Sequence, residues 1–180
     1  MKKHSQILRM ILTALFLALA YVLPFLTFQN QKLGSMFSLM HIPVLLCGFI
    51  CGWPWGLAVG LIAPLLRSLT LGMPILFPMA FCMALELATY GAVAGLMHKF
   101  LPRKKPFIFC SLLAAMATGR VVFGCAMFLC MSAKGGSYTF MTFLNGALID
   151  AVPGIILQIV LIPAWVMAIE DTPVFKSLRK

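Results

Sequence analysis

Acidic side chains are nearly missing from this chain: four aspartates and glutamates in 180 residues, against fourteen lysines and arginines. Charged residues of both signs make up only 10% of the sequence, while 62% is hydrophobic. A soluble domain solvates its surface with roughly 25% charged residues, so that class is excluded. The same shortage argues against an enzyme. Two of the four acids, Glu170 and Asp171, stand together near the C-terminus, and no clustered aspartates or Ser/His set remains to carry catalysis. The six cysteines form no CxxC, and no His/Cys cluster has zinc-ligand spacing. They read as small hydrophobes inside apolar segments. No catalytic residue, metal site or cofactor is expected. Strand alternation and low-complexity tracts are missing too.

What the chain does have is long apolar runs, with a mean hydropathy of +1.04. A bilayer-spanning helix needs roughly 20 apolar residues, so six spans with short connections use nearly the whole sequence. The expected fold is all-α: one polytopic membrane domain over 1–180, with six transmembrane helices. The runs are Ile7–Phe28, Met36–Cys51, Gly56–Leu71, Ile75–Met97, Phe107–Met131 and Met141–Ile169. Gly52-Trp-Pro-Trp and Gly72-Met-Pro mark tight turns after the second and third. The first run has a basic start, and Ala18-Leu19-Ala20 looks like a cleavage site. It continues through Tyr21-Val-Leu-Pro-Phe, however, and reads as an uncleaved helix.

The net charge of +10 would suggest nucleic acid in a soluble protein. Here the basic residues flank apolar runs, which points to anionic lipid headgroups and not to nucleic acid. Their distribution sets the orientation. With the N-terminus inside, Lys2, Lys3, Arg9, Lys99, Arg103, Lys104, Lys105, Lys176, Arg179 and Lys180 are cytoplasmic. Only Lys32 and Lys134 fall outside, and Arg67 and Arg120 lie within spans. Both termini are therefore expected in the cytoplasm of a cell-membrane protein.

Gly48, Gly52, Gly56 and Gly60 recur every four residues, and Gly91 and Gly95 repeat the spacing in the fourth span. Small residues at this interval let helix backbones approach closely in lipid, so packing within the bundle is the expected role. Ala14 and Ala18 give a similar pair on the first span. Pro43, Pro64, Pro78, Pro153 and Pro163 interrupt apolar runs, and each frees a carbonyl one turn earlier. Such breaks suit a cavity or simple packing kinks.

The polar residues within the runs are the informative ones. His41, Arg67, Glu86, Arg120, Asn145 and Asp150 all fall between the midplane and the outer surface, by helical rise. Ionisable groups at that depth cost about 3 kcal/mol or more unless paired or hydrated. Two accounts fit: internal pairing of Arg67 and Arg120 with Glu86 and Asp150, or a polar cavity open to the outside. No continuous polar trail reaches the cytoplasm, apart from Gln158, which argues against a channel. On the cavity account Arg120 is the ligand contact and Arg67 is paired with Glu86.

Several stretches resemble the substrate-binding S component of energy-coupling factor (ECF) vitamin transporters. They are Ala14-x3-Ala18, His41-Ile-Pro-Val-Leu-Leu-Cys-Gly running on through Gly52-Trp-Pro-Trp-Gly to Gly60, Glu86-Leu-Ala-Thr-Tyr-Gly, and Pro153-Gly-Ile-Ile-Leu-Gln-Ile. The resemblance implies a subunit that binds a scarce micronutrient outside and joins a transmembrane coupling (T) subunit and two ATPases. It implies that Ala14 and Ala18 face the coupling subunit. The ligand would sit among the outer halves of spans four to six, capped by the loops after spans one, three and five. His41, Arg67, Glu86, Arg120, Asn145 and Asp150 become its candidate contacts. Two arginines at that depth suit an anionic vitamin such as pantothenate, with riboflavin, folate, lipoate, biotin or a nucleobase precursor also open. A second reading is a small membrane scaffold of the cell-wall elongation machinery, which would need no ligand cavity.

The ten-to-two basic asymmetry yields a direct test. In a cysteine-free background, cysteine at Gln31 or Gly136 should react with impermeant maleimide added to sealed cells, and cysteine at Lys104 should not. Labelling of Lys104→Cys would overturn the orientation.

Overall fold

The computed structural model describes residues 2–27, 38–101, 105–133 and 151–170. Six helices account for nearly all of them: α1 (Lys2–Val22), α2 (His41–Cys51), α3 (Trp53–Leu71), α4 (Phe81–Phe100), α5 (Lys105–Ala133) and α6 (Val152–Glu170). No strand occurs among the described residues. Five of the helices are long and apolar enough to cross a membrane. The exception is α2, whose eleven residues rise only about 16 Å, roughly half the hydrocarbon thickness. All eleven are buried. A helix apolar on every side belongs in an interior, and α2 is the central post here, packed against α1, α3, α4 and α6.

The outer helices turn large apolar side chains outward instead. Ile7, Met10 and Ile11 on α1, Val121 and Leu129 on α5, and Ile156 and Val160 on α6 are all exposed. That pattern is a membrane protein's, with lipid taking the place of water around the bundle. Hydroxyls meet the same constraint by bonding back to their own helix. Thr13 donates to the Arg9 carbonyl, Thr89 to Leu85, Ser111 to Phe107 and Thr118 to Ala114.

Glycines determine how closely α2, α3 and α4 approach. A Cβ at Gly48 would meet the Gly91 carbonyl, one at Gly56 would meet the Gly48 backbone, and one at Gly60 the Leu87 carbonyl. Gly91 and Gly95 lie in turn against the backbones of Gly56 and Trp53. The four-residue spacing thus serves packing within the bundle, as the sequence suggested. Gly52 is different. It sits at φ 101° between α2 and α3, a conformation other residues rarely adopt, and reverses the chain in a single residue. The turn is shorter than Gly52-Trp-Pro-Trp implied, because α3 already begins at Trp53 with Pro54 in its first turn.

Three of the five prolines also behave differently from the sequence expectation. Pro43 and Pro153 fall in the first turns of α2 and α6, where no backbone donor is needed. Pro78 lies in the distorted segment Leu76–Ala80 that leads into α4. Only Pro64 in α3 and Pro163 in α6 interrupt a helix. His41 is the first residue of α2. The first ten residues of the expected sixth span lie outside the described residues.

Gly91→Ala should test the three-helix seam. Its Cβ would meet backbone, which cannot rotate away, so the loss should reach or exceed the upper end of about 1–3 kcal/mol typical of overpacking. Ala164→Leu, on the exposed face of α6, should leave the melting temperature unchanged. Equal melting of the two variants would refute the seam.

Candidate functional site

Three helices bring four polar side chains to one buried point. Glu86 lies near the start of α4, 2% exposed, with Tyr90 one turn further along the same face. Tyr90 donates its hydroxyl to Glu86 Oε1 at 3.0 Å. Arg120, midway along α5, places Nη1 3.2 Å from the same oxygen. His41, at the start of α2, holds Nε2 3.8 Å from Oε2, and its ring lies 5.2 Å from that of Tyr90. Gly119 makes the convergence possible. A Cβ there would strike the Tyr90 ring, so only glycine lets α5 come close enough for Arg120 to reach the carboxylate.

This cluster satisfies Glu86 but not its neighbours. Both ring nitrogens of His41 and Nε of Arg120 are buried without a hydrogen-bond partner among the described residues. Gln158, buried on α6, has its Oε1 in the same condition. Buried polar groups ordinarily find partners, and each one left open costs about 1–3 kcal/mol. Open donors and acceptors next to a fixed ion pair are what a polar ligand requires. Among the described residues no three His, Cys, Asp or Glu side chains group as metal ligands.

Arg67 corrects an expectation. It is not paired with Glu86; Arg120 and His41 occupy that carboxylate. Arg67, buried on α3, donates from Nη1 to the Tyr21 carbonyl at 2.9 Å and lies over the Phe25 ring, 5.1 Å from its centroid. Tyr21 is the penultimate residue of α1, so its carbonyl has no partner within the helix. A cation there supplies the missing donor and opposes the negative end of the helix dipole. Tyr21 returns the contact, donating its hydroxyl to Thr70 at 3.1 Å. A tally of charged side chains cannot reveal a backbone acceptor of this kind.

Of the sequence candidates, His41, Glu86 and Arg120 are therefore brought together and Arg67 stands apart from them. Asn145 and Asp150 lie outside the described residues. Tyr90 and Gly119 were not singled out from the sequence. The four-residue interval from Glu86 was a usable signal for Tyr90; nothing local marked Gly119. Ala14 and Ala18 are both exposed on α1, between the exposed Ile11, Leu15 and Leu19, so this pair is not used for packing inside the bundle.

A mutant cycle checks the pairing. Arg120→Gln and Glu86→Gln should each destabilise the protein, by about 3–5 kcal/mol where a charge is left buried alone. The double variant should lose less than the sum, with a coupling of about 0.5–3 kcal/mol in unfolding free energy. Arg67→Gln should combine additively with Glu86→Gln. Coupling of Glu86 to Arg67 and not to Arg120 would reverse the assignment.

The family model described as the substrate-specific component of ECF transporters matches residues 8–166. No curated protein and no solved structure matches the chain. The match runs from the first turns of α1 to the last turns of α6 and takes in His41, Glu86, Tyr90 and Arg120. On that extent, this chain belongs to the substrate-specific components of ECF transporters.

Proposed function

We propose that the protein binds a vitamin or related micronutrient from the outer face of the cell membrane and delivers it for ATP-driven uptake. It would do so with a transmembrane coupling subunit and two ATPase subunits. The observation that carries this reading is the half-satisfied polar cluster of His41, Glu86, Tyr90 and Arg120 in an otherwise apolar bundle. Its membership of a substrate-specific transporter family supplies the context. Nothing among the described residues or the comparisons supports the cell-wall scaffold.

Both chain ends in the cytoplasm and six crossings remain the proposed topology. His41 stands at the start of α2, Glu86 near the start of α4, and the C-terminal half of α5 follows Arg120. In that topology these positions all lie towards the outer side, where a nutrient arrives. Asn145 and Asp150 are proposed as further contacts on the same grounds of depth. Arg67 is proposed to act by holding the outer end of α1 and the chain that follows it.

An anionic ligand, pantothenate among the possibilities, fits the donors. Arg120 spends Nη1 on Glu86 and retains a buried Nε without a partner among the described residues. A carboxylate received there would gain charge-assisted bonds in a fixed fork geometry. Catalysis is not proposed, since the family is a transporter's substrate-specific component.

For the partner, the exposed Ala14 and Ala18 leave a shallow stripe along α1 where another helix backbone can approach closely. The coupling subunit is the proposed occupant.

Two experiments follow. Mass spectrometry of small molecules that co-purify with the detergent-extracted protein should identify the ligand, and Arg120→Lys should then discriminate the roles. Lysine keeps the charge against Glu86 but loses the fork, so stability should hold while affinity falls by tenfold or more, about 1.4 kcal/mol. Unchanged affinity would remove Arg120 from the site. Separately, Ala14→Trp or Ala18→Trp should abolish uptake and co-purification with the coupling and ATPase subunits while leaving ligand affinity intact. Full uptake by the double variant would take α1 out of the interface.

A further inference from the structure

A second cluster, built from sulfur alone, lies where the N-terminal end of α4 meets the C-terminal end of α5. The same five-residue pattern occurs on both sides: Met79-Ala-Phe-Cys82-Met83 and Met127-Phe-Leu-Cys130-Met131. Within a helix, positions three and four apart share a face. The two helices run in opposite directions and set Met79 and Cys82 against Met127, Cys130 and Met131, with Met83 outside the cluster. Cys82 and Met127 are buried together with Ala126, and Met79, Cys130 and Met131 pack against them beside Leu85 and Phe123. Five sulfur-bearing side chains thus share one small core, in a bundle whose other core residues are mainly aliphatic or aromatic.

Methionine and cysteine also serve as plain fillers of apolar gaps. What separates this cluster from filler is the repeated spacing and the approach of the two thiols. Cys82 and Cys130, 48 residues apart in sequence, hold their sulfurs 3.9 Å from each other, and both are free. Two sulfurs each about 2.3 Å from a shared ion would subtend about 115° at that separation, between trigonal and tetrahedral.

We propose that this cluster is a binding site for a soft monovalent cation of the copper(I) class. The donors select the ion. The side chains of the cluster contribute no oxygen or nitrogen, so hard cations such as magnesium and calcium gain nothing there. Thiolate and thioether together favour copper(I) over zinc, whose closed sites use cysteine and histidine. Charge fits as well. The ion replaces one thiol proton, which leaves to solvent, while the other cysteine keeps its proton and donates as a neutral thiol, so one thiolate and a monovalent cation sum to zero. The thioethers then add donors without adding charge, which an apolar surrounding tolerates. Bound there, the ion would clip α4 to α5 beyond the Glu86–Arg120 pair, which joins the same two helices.

The test uses the full-length protein in detergent, reduced and free of oxygen, with copper(I) supplied as its bathocuproine disulfonate complex. Excess chelator strips isolated thiols, so only a multi-sulfur site retains metal. The wild type should keep one equivalent, with a sulfur-only first shell by X-ray absorption. Cys82→Ser with Cys130→Ser should bind at least 100-fold more weakly, while Cys47→Ser with Cys51→Ser should bind as the wild type does. Met79→Leu with Met131→Leu preserves volume and thiols, and should weaken binding by about tenfold or more even if the cysteine variant fails to fold. Equal retention by wild type and the Cys82/Cys130 variant would overturn the proposal. So would nitrogen or oxygen in the first shell, or no copper held by the wild type.

Discussion

A carboxylate within an apolar bundle has to be surrounded by donors before the bundle can close, and Glu86 imposes that condition on three helices at once. Its oxygens take Tyr90 from the same helix, Arg120 from α5 and the approach of His41 from α2. A lone charge there costs several kcal/mol, more than any single apolar contact nearby returns. Helix spacing therefore follows from the polar group, and the small residues follow from the spacing. Gly119 lets α5 reach the Tyr90 ring; Gly48, Gly56 and Gly91 let α2, α3 and α4 touch backbone to backbone. The cluster satisfies the carboxylate and leaves His41 and Arg120 with open nitrogens, a state more useful for binding than for stability.

The second arginine does a different kind of work. By taking the Tyr21 carbonyl, Arg67 fastens the end of α1 to α3, and the Tyr21–Thr70 bond and the Phe25 ring fasten it again. Phe16 and Ala20 are buried at the same end of α1, whereas Ala14 and Ala18 remain exposed. The helix is thus held firmly at one end and presents a small-residue face along its middle. A surface of that kind suits a subunit that must join a partner and still keep its own fold.

The polar cluster and the α1 stripe lie on different helices and call on different residues. The proposed binding and docking roles could consequently be altered separately, in a family whose members are the substrate-specific part of a transporter. The link between them runs through α2 and α3, both packed on α1 and both seamed to α4 by glycine. Close backbone contact transmits small displacements well, because such interfaces have little compressible volume.

Composition and periodicity alone established a membrane-embedded, all-helical chain, because apolar runs of bilayer length have few other uses. The helix ends near Cys51, Leu71 and Phe100 were legible from glycine, proline and basic residues, and His41, Glu86 and Arg120 were legible as polar residues at a costly depth. Tertiary structure decided which of these met. Arg67 and Arg120 look alike in sequence, yet one caps a helix and the other holds a carboxylate, since the Tyr21 carbonyl becomes an acceptor only when α1 ends beside α3. That α2 is buried on every side was not legible, because hydropathy records apolar residues and not whether lipid or protein surrounds them. Gly119 had no signal of its own. Its role exists only once the Tyr90 ring from another helix occupies the space a side chain would fill.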